Sequence, residues 1–536
     1  MPLLFLESKD DDPVLKQKGL ATPLARTTAV TASGTQLNKV LSASSDRPAL
    51  EHTNTSSSLG SLNAVSRLTT QSGSKDDSNI LYPFRVKHLG HDVFTLYASS
   101  PVERQNWTEA IVAAKTAHAR ALYAQNAEPF RLRVISDGAF AYDSLSAGNR
   151  QGGVAIKGTP LDRAIREMEK VYGKGRGPPP VCRAQVNCAT AFNAYGKSLI
   201  AIGTDFGVFI SEASNPRGWT RSLQMPRVTQ IAVLEQFSVC LVIADKSLIS
   251  IPLDTIAPVS NFPAPAHDNP KRAPIKLAKD VAFFATAVMK DRTLLFYKRK
   301  EGMHNTFKVL EPVFNKATEK RTKLFGGRKG GSGSTESFRD YDEFYLPTEC
   351  YSLNLFQTYI AVASAKGFEL LTLDKKIPQS IPHDLTLPAI ANIASRIRDQ
   401  RPLGMFKLND QEFLLAYEDC AVYVDKHGEV SRTLIMEYSG KQKKAKGATM
   451  FGQYLLLFNE DYVEVRNAEN GRLRQIIAGG DVRCLDYGFR GPTGSAQQPE
   501  PQDSKGTVKI CMAHPEAPGG QIVLEMLLND GHTEKV

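Results

Sequence analysis

The chain repeats one pattern: a short continuous apolar run, a tight polar turn, and a second apolar run. In "EFLLAYEDCAVYVDKHGEVSR", residues 412–432, the first run suits a strand buried on both faces. The second run, Ala421, Val422, Tyr423 and Val424, is β-branched and aromatic, as strands are. Another turn follows at His427 and Gly428. The hairpin returns in "SLIAIGTDFGVFIS" (198–211), "SVCLVIADKSLISIPLD" (238–254) and "VAFFATAVMKDRTLLFYKR" (281–299). It returns again in "TYIAVASAKGFELLTLD" (358–374) and "YLLLFNEDYVEVRNAENGRLRQI" (454–476). Shorter strands such as "VTQIAVLEQ", "CYSLNLF" and "VRCLDYG" precede several copies. The spacing is irregular, roughly forty to seventy residues, within the range of propeller blades. Strand after strand with no strong helix between them predicts an all-β architecture. Hairpins spread over about 400 residues fit radial blades better than a sandwich.

Upstream of the array the pattern differs. "LYPFRVKHLG" and "HDVFTLYASS" predict a hairpin turning near Gly90, His91 and Asp92. "SPVERQNWTEAIVAAKTAHARALYAQ" then predicts a helix, with Ser100 as N-cap, Pro101 at the first helical position and Glu103 closing a capping box. Trp107, Ile111, Ala114 and His118 share one side at helical spacing, which makes Trp107 the hydrophobic anchor of that helix. "FRLRVISDGAFAYD" reads as a pair of short strands, and "LDRAIREMEKVYGKGRGPPP" as partly helical before a Pro-rich break.

Three stretches carry no such periodicity. Residues 8–79 are rich in Ser, Thr, Ala and Asp and cannot bury enough surface to offset their ordering entropy, which predicts disorder. Two loops interrupt the array, a Pro-rich one at 256–275 and a basic, then Gly/Ser-rich one at 315–340.

Composition narrows the setting. The chain has 536 residues, 42% hydrophobic and 23% charged, ordinary for globular protein. Its formal net charge of +10 favours acidic partners. The seven cysteines form no Cys-x-x-Cys pair and sit mostly inside apolar runs, which fits a reducing compartment. No apolar run reaches transmembrane length, and "MPLLFLESKDDD" lacks a secretory n-region. The expected location is cytoplasmic, with recruitment to the cell cortex or plasma membrane.

The runs "SLIAIGTDFGVFIS", "EFLLAYEDCAVYVDKHGEVSR" and "YLLLFNEDYVEVRNAENGRLRQII" closely resemble the citron-homology (CNH) domain. The resemblance covers about residues 130–528. It implies a mainly β fold, a β-propeller of seven blades over 128–530, although the irregular period does not itself count them. "LYPFRVKHLGHDVFTLYASSPVERQNWTEAI" resembles the last strands and C-terminal helix of a pleckstrin-homology domain, with Trp107 matching its helix Trp. On that reading 80–125 is the C-terminal part of such a domain and 1–7 a leftover strand of it. The module order is similar to the C-terminal region of fungal Rho guanine-nucleotide exchange factors. The chain departs from them in showing no Dbl-homology helical bundle and no early pleckstrin strands, and it reads as beginning in mid-domain. The resemblance therefore implies a non-catalytic regulatory region whose partner is a Rho-type small GTPase or a cortical signalling protein. It leaves open a tethering adaptor or the tail of a citron-type kinase.

Candidate chemistry is sparse. "GKGRGPPP" and "GGRKGGSGS" lack phosphate-loop spacing, the ten His form no metal-spaced cluster, and no Gly-x-Ser-x-Gly appears. No cofactor or metal is expected. Two basic stretches stand out. One holds Lys316, Lys320, Arg321, Lys323, Arg328 and Lys329; the other holds Lys441, Lys443, Lys444 and Lys446. Together they are candidates for contact with a partner or an anionic membrane, each charge contributing about 1 kcal/mol near such a surface. No aromatic platform interleaves them, which argues against nucleic acid. Trp219 is either an exposed contact or a plug at the propeller rim.

Overall fold

The computed structural model describes residues 4–6, 12–15, 80–88, 93–142, 154–175, 179–257, 273–301, 304–314, 337–440, 444–488 and 504–529. The chain divides into two compact units. The smaller comprises Leu4–His88 and Asp92–Ile111. Its sheet joins β1 (Leu4–Leu6), β2 (Val14–Leu15), β3 (Ile80–His88) and β4 (Val93–Ala98). β3 and β4 pair antiparallel from Tyr82 opposite Ala98 to Lys87 opposite Val93, as the hairpin pattern predicts. β2 lies inside the stretch expected to be disordered and corrects that expectation for residues 14 and 15; residues 16–79 fall outside the described residues.

The helix α1 runs Pro101–Ala124. Ser100 caps it, its Oγ accepting from the Glu103 N–H at 3.1 Å. Glu103 reaches back one residue further than a capping box requires: its carboxylate accepts from the N–H of Ser99 at 2.7 Å. Trp107 is 53% exposed, so it is not the buried anchor expected. Only Lys115 and Ala119 of this helix are buried, while Ile111 and His118 of the predicted stripe are half-buried and Trp107 and Ala114 are exposed.

The larger unit holds a ring of seven four-stranded antiparallel sheets. Blade 1 is β6–β9 (Val186–Ala194, Lys197–Thr204, Gly207–Glu212, Thr220–Leu223). Blade 2 is β10–β13 (Val228–Leu234, Val239–Ala244, Ser247–Pro252, Ile275–Ala278). Blade 3 is β14–β17 (Val281–Met289, Arg292–Glu301, His304–Pro312, Phe338–Leu346). Blade 4 is β18–β21 (Cys350–Leu355, Ile360–Ser364, Gly367–Leu371, Gln379–Ile381). Blade 5 is β22–β25 (Pro402–Lys407, Glu412–Tyr417, Cys420–Asp425, Met436–Glu437). Blade 6 is β26–β29 (Gly447–Phe451, Tyr454–Phe458, Tyr462–Asn467, Leu473–Ala478). Blade 7 takes β30–β32 (Arg483–Asp486, Val508–Ala513, Gly520–Leu528) from the end of the ring and β5 (Phe130–Ala141) from its start. Both expected loops are shorter than predicted: Ile275 opens β13, and residues 338–340 belong to β17.

β5 is one twelve-residue strand, not the two short ones expected. The Asp137-Gly138 pair that suggests a turn is a bulge instead, with Gly138 at φ +68° and a register shift against β32. The next segment forms α2 (Pro160–Tyr172), capped by Thr159, with Pro160 at its first turn. Its apolar face, Leu161, Ala164, Ile165 and Met168, packs on Phe130, Leu132 and Val134 of β5. This covers the closing strand from outside.

Strands such as β11, β24 and β27 are buried along nearly their whole length, because each blade is sandwiched between neighbours. Burial of each such Val, Leu or Ile contributes about 1.5–3 kcal/mol relative to exposure. Polar side chains then stitch every blade to the next. Asn187 donates to Val228 O (3.0 Å) and Lys298 to Cys350 O (2.7 Å). Gln230 bonds both the N–H and the C=O of Phe284 (3.0 and 2.6 Å). Asn354 accepts from Met405 N (3.0 Å), and Tyr423 donates to Ala468 O (2.9 Å). Thr449 donates to Tyr487 O (2.9 Å). At the closing junction Gln521 accepts from Val186 N (3.0 Å) and donates to Ala184 O (2.8 Å). Inner strands have no partner strand across the gap, so these side chains satisfy backbone groups that burial would otherwise leave unpaired.

Candidate interaction surface

Four strands per blade, alternating in direction, sort every connection onto one of two faces. Connections after the first and third strands emerge on one face, here the odd face. Those after the second and fourth emerge on the other, the even face. The first basic stretch leaves β16 at Phe314 and rejoins at Ser337, so both its anchors are on the odd face. Lys316, Lys320, Arg321, Lys323, Arg328 and Lys329 themselves lie outside the described residues. The second stretch joins β25 to β26 and belongs to the even face. Of it, Lys441 and Lys443 lie outside the described residues. The topology thus anchors the two basic stretches on opposite faces.

The even-face lysines are engaged within the fold. Lys444 pairs with Glu418 at 2.9 Å, and this hydrogen bond pushes its pKa up. Lys446 lies 3.6 Å from Glu460. Both remain substantially exposed, so these pairs add little to stability. Their charge is locally balanced by the turns that follow second strands, such as Glu418-Asp419 and Glu460-Asp461.

Trp219 resolves its two readings. It is 3% exposed, its indole meets Phe140 edge-on at 5.5 Å, and its Nε1–H points to Ile135 O at 3.4 Å. Phe140 and Ile135 belong to β5, so Trp219 plugs the junction between blade 1 and the closing strand and offers no surface to a partner. Beside it, Arg217 meets Asp137 at 3.2 Å and donates to Tyr172 O (2.9 Å) and Gly175 O (2.8 Å). This ties the end of α2 to the same junction.

Sequence reasoning missed the exposed apolar side chains of the odd face. Phe314 is 64% exposed, and its ring meets Phe237 of blade 2 at a tilt, centroids 4.6 Å apart. Ile377, in the blade 4 connection, is 66% exposed. Tyr195, Tyr359 and Leu434 project from blades 1, 4 and 5. The even face shows Phe206, Val181, Leu385 and Leu387. Exposed apolar groups mark an interaction site where they join into a contiguous patch, and not where they stand singly. Only the assignment of connections to faces sorts these residues, five of those named to the odd face and four to the even.

Buried polar chemistry is used internally. Lys509, fully buried, donates to Ser504 O (2.9 Å), Thr507 O (3.0 Å) and Asp486 (3.2 Å). Glu525, also fully buried, accepts from Thr507 (2.6 Å) and from Arg133 (2.8 Å). The donors and acceptors of this cluster face one another. Burial pushes the thiols of Cys188, Cys350 and Cys420 up to about 12 and that of Cys511 to about 11. Thiolate chemistry is thereby suppressed. Among the described residues no group of three or more His, Cys, Asp or Glu is arranged to hold a metal, and no helix is long and apolar enough to cross a membrane.

Residues 196–488 match the family model of the CNH domain. The match starts in the first turn of blade 1 and stops in blade 7 before β31, so the strands that close the ring lie outside it. The chain is 30% identical over 433 residues to Rho1 guanine nucleotide exchange factor 3 of Schizosaccharomyces pombe, covering 75% of this chain and 32% of that protein. It is 29% identical over 311 residues to Rho1 guanine nucleotide exchange factor 2 of the same organism, covering 56% and 25%. Each of these relatives is therefore about three to four times as long as the stretch this chain matches. Among solved structures, the AfRom2 CNH domain is similar at 23% identity and TM-score 0.49, over 64% of this chain and 94% of that one.

Proposed function

The chain belongs to the CNH-domain family, and from that membership we propose that it is the regulatory, protein-docking region of a Rho-type guanine-nucleotide exchange factor. In this reading exchange is catalysed elsewhere in a longer protein. The propeller binds a Rho-type GTPase or a cortical signalling protein and serves cell-wall integrity and polarised growth. The smaller unit, with its strand–strand–helix order, is the C-terminal part of a pleckstrin-homology domain.

One observation carries the docking role: the odd face gathers exposed aromatic and aliphatic side chains from blades 1, 3, 4 and 5. Interfaces draw their energy from such anchors. The test is calorimetric titration of the chain with a Rho1-type GTPase, loaded once with GDP and once with a GTP analogue. Binding is expected, and Phe314→Asp or Ile377→Asp weakens it about tenfold or more, the scale of a lost anchor. Phe206→Asp on the even face leaves it unchanged. No heat with either nucleotide overturns the GTPase as partner. Equal loss from odd-face and even-face variants overturns the odd face as the docking surface.

A further inference from the structure

A propeller exposes the outer edge of each fourth strand, and six of the seven blades here limit that edge. β9, β13, β21, β25 and β29 have only two to six residues. β5 is long, but its edge is taken near both ends, by the Gln475 amide on the Phe130 backbone and by Val181 and Cys182 on Ala139 and Ala141. β17 is the exception. Its nine residues pair with β16 on one side and with no strand on the other among the described residues. From Asp342 opposite Val309 to Leu346 opposite Asn305 the register is unbroken, after a bulge near Tyr341.

Its side chains define what would fit. Arg339, Asp340, Tyr341 and Tyr345 are exposed, and Asp342 and Glu343 half-buried. One basic and three acidic residues make the strand net acidic by two. Asp342 and Glu343 already meet Lys376 and Lys308. Arg339 shares Glu311 with Arg292. Asp340 is left for an incoming group. A second copy of the strand is a poor occupant: antiparallel pairing centred on Asp342 sets that carboxylate against itself, and like charges opposite one another destabilise a ladder.

We propose that the free edge of β17 accepts an extended, Lys/Arg-bearing segment of a partner protein as a fifth strand of blade 3. Main-chain hydrogen bonds supply the affinity. Asp340 with the rings of Tyr341 and Tyr345 selects a basic strand with apolar alternate positions. This surface is the outer wall of the ring and is separate from the odd face, so either can fail without the other.

The test is hydrogen–deuterium exchange on the full chain. The probe is a blocked peptide of alternating Lys and Val, matched to β17 in length, with an alternating Glu–Val peptide as control. The Lys–Val peptide is expected to slow exchange at residues 339–345 and at no other outer strand, and the Glu–Val peptide to do nothing. Asp340→Lys weakens the effect about fivefold, the scale of one cross-strand charge pair. Asp340 is exposed, and unchanged exchange in the other blades shows that the variant folds. The same measurement is made with residues 315–336 replaced by a Gly-Ser linker of equal length. Protection only after that replacement means the chain's own segment holds the edge, and overturns a partner as occupant. No protection in either form, or equal protection by both peptides, overturns the proposal.

Discussion

The side-chain amide of Gln475 holds the backbone of Phe130 at both ends, accepting its N–H and donating to its C=O, each at 2.9 Å. The two residues are 345 positions apart. Gln475 lies in the outer strand of blade 6, and Phe130 opens the strand that closes blade 7. Phe130 also meets Phe451 and Tyr454 edge-on at 5.6 and 5.5 Å. The start of β5 is therefore held by blade 6 as well as by its own sheet. Gln475→Leu keeps the shape and removes both hydrogen bonds. It leaves a buried N–H and C=O unpaired, at about 1–3 kcal/mol each. Thermal unfolding should begin earlier, and exchange at residues 130–134 should rise before that of blades 2 to 5.

Trp219 does the corresponding work from blade 1. Trp219→Ala should cost about 3–5 kcal/mol, the range for a buried large aromatic. Because Trp219 packs on Phe140, protease susceptibility should appear first in the closing junction. Binding of a partner to the odd face of the folded variant should be unaffected.

Lys509→Met tests the buried cluster of blade 7. Removing the ammonium strands the Asp486 carboxylate and the carbonyls of Ser504 and Thr507, and breaking a buried charged cluster costs about 3–5 kcal/mol. The expected result is a large fall in melting temperature. Lys509→Arg should not rescue it, since the bulkier guanidinium does not fit acceptors placed for an ammonium in a fully buried site.

Stability should depend on pH through Glu412. Arg432 donates to its carboxylate from Nε at 2.9 Å and from Nη2, Ser431 adds a bond at 2.8 Å, and the carboxyl is held below its usual range. A carboxyl lowered in the fold stabilises above its unfolded pKa and loses that contribution as pH falls through the folded one. The gap between wild type and Arg432→Met should therefore be full near neutrality and shrink on acidification below about pH 4. Urea midpoints across that range measure it. A gap independent of pH would assign Arg432 to packing on the Tyr423 ring, 4.3 Å away.

Gly207 tests the turn chemistry. It sits at φ +135°, and a Cβ there would lie 2.0 Å from Leu223 O, a backbone atom that cannot swing aside. Gly207→Ala should open the edge of blade 1, read as faster exchange in β8 and β9.

All six quoted hairpins are strands in the structure, because a continuous apolar run between polar turns has few other ways to bury itself. Five are the second and third strands of their blades. The hairpin at 281–299 is the first and second strand of blade 3, a phase that the pattern could not assign. Both inner and middle strands are buried on two faces and look alike. α2 was legible only as a partly helical stretch before a Pro-rich break, and neither its apolar face nor its position over β5 was read from the sequence. Trp107, expected to anchor its helix, is exposed, and Trp219, open between an exposed contact and a rim plug, is buried as the plug.

The sequence by itself determined the all-β array, its turns, its helix starts and the family, because each depends on neighbours within a few residues. Tertiary structure decided the number of blades, the pairing of β5 with β32, the fate of each tryptophan and the face on which each basic stretch is anchored. Those depend on closure, which brings residue 130 beside residue 528 and reads strand parity around a ring. No local pattern of side chains encodes either.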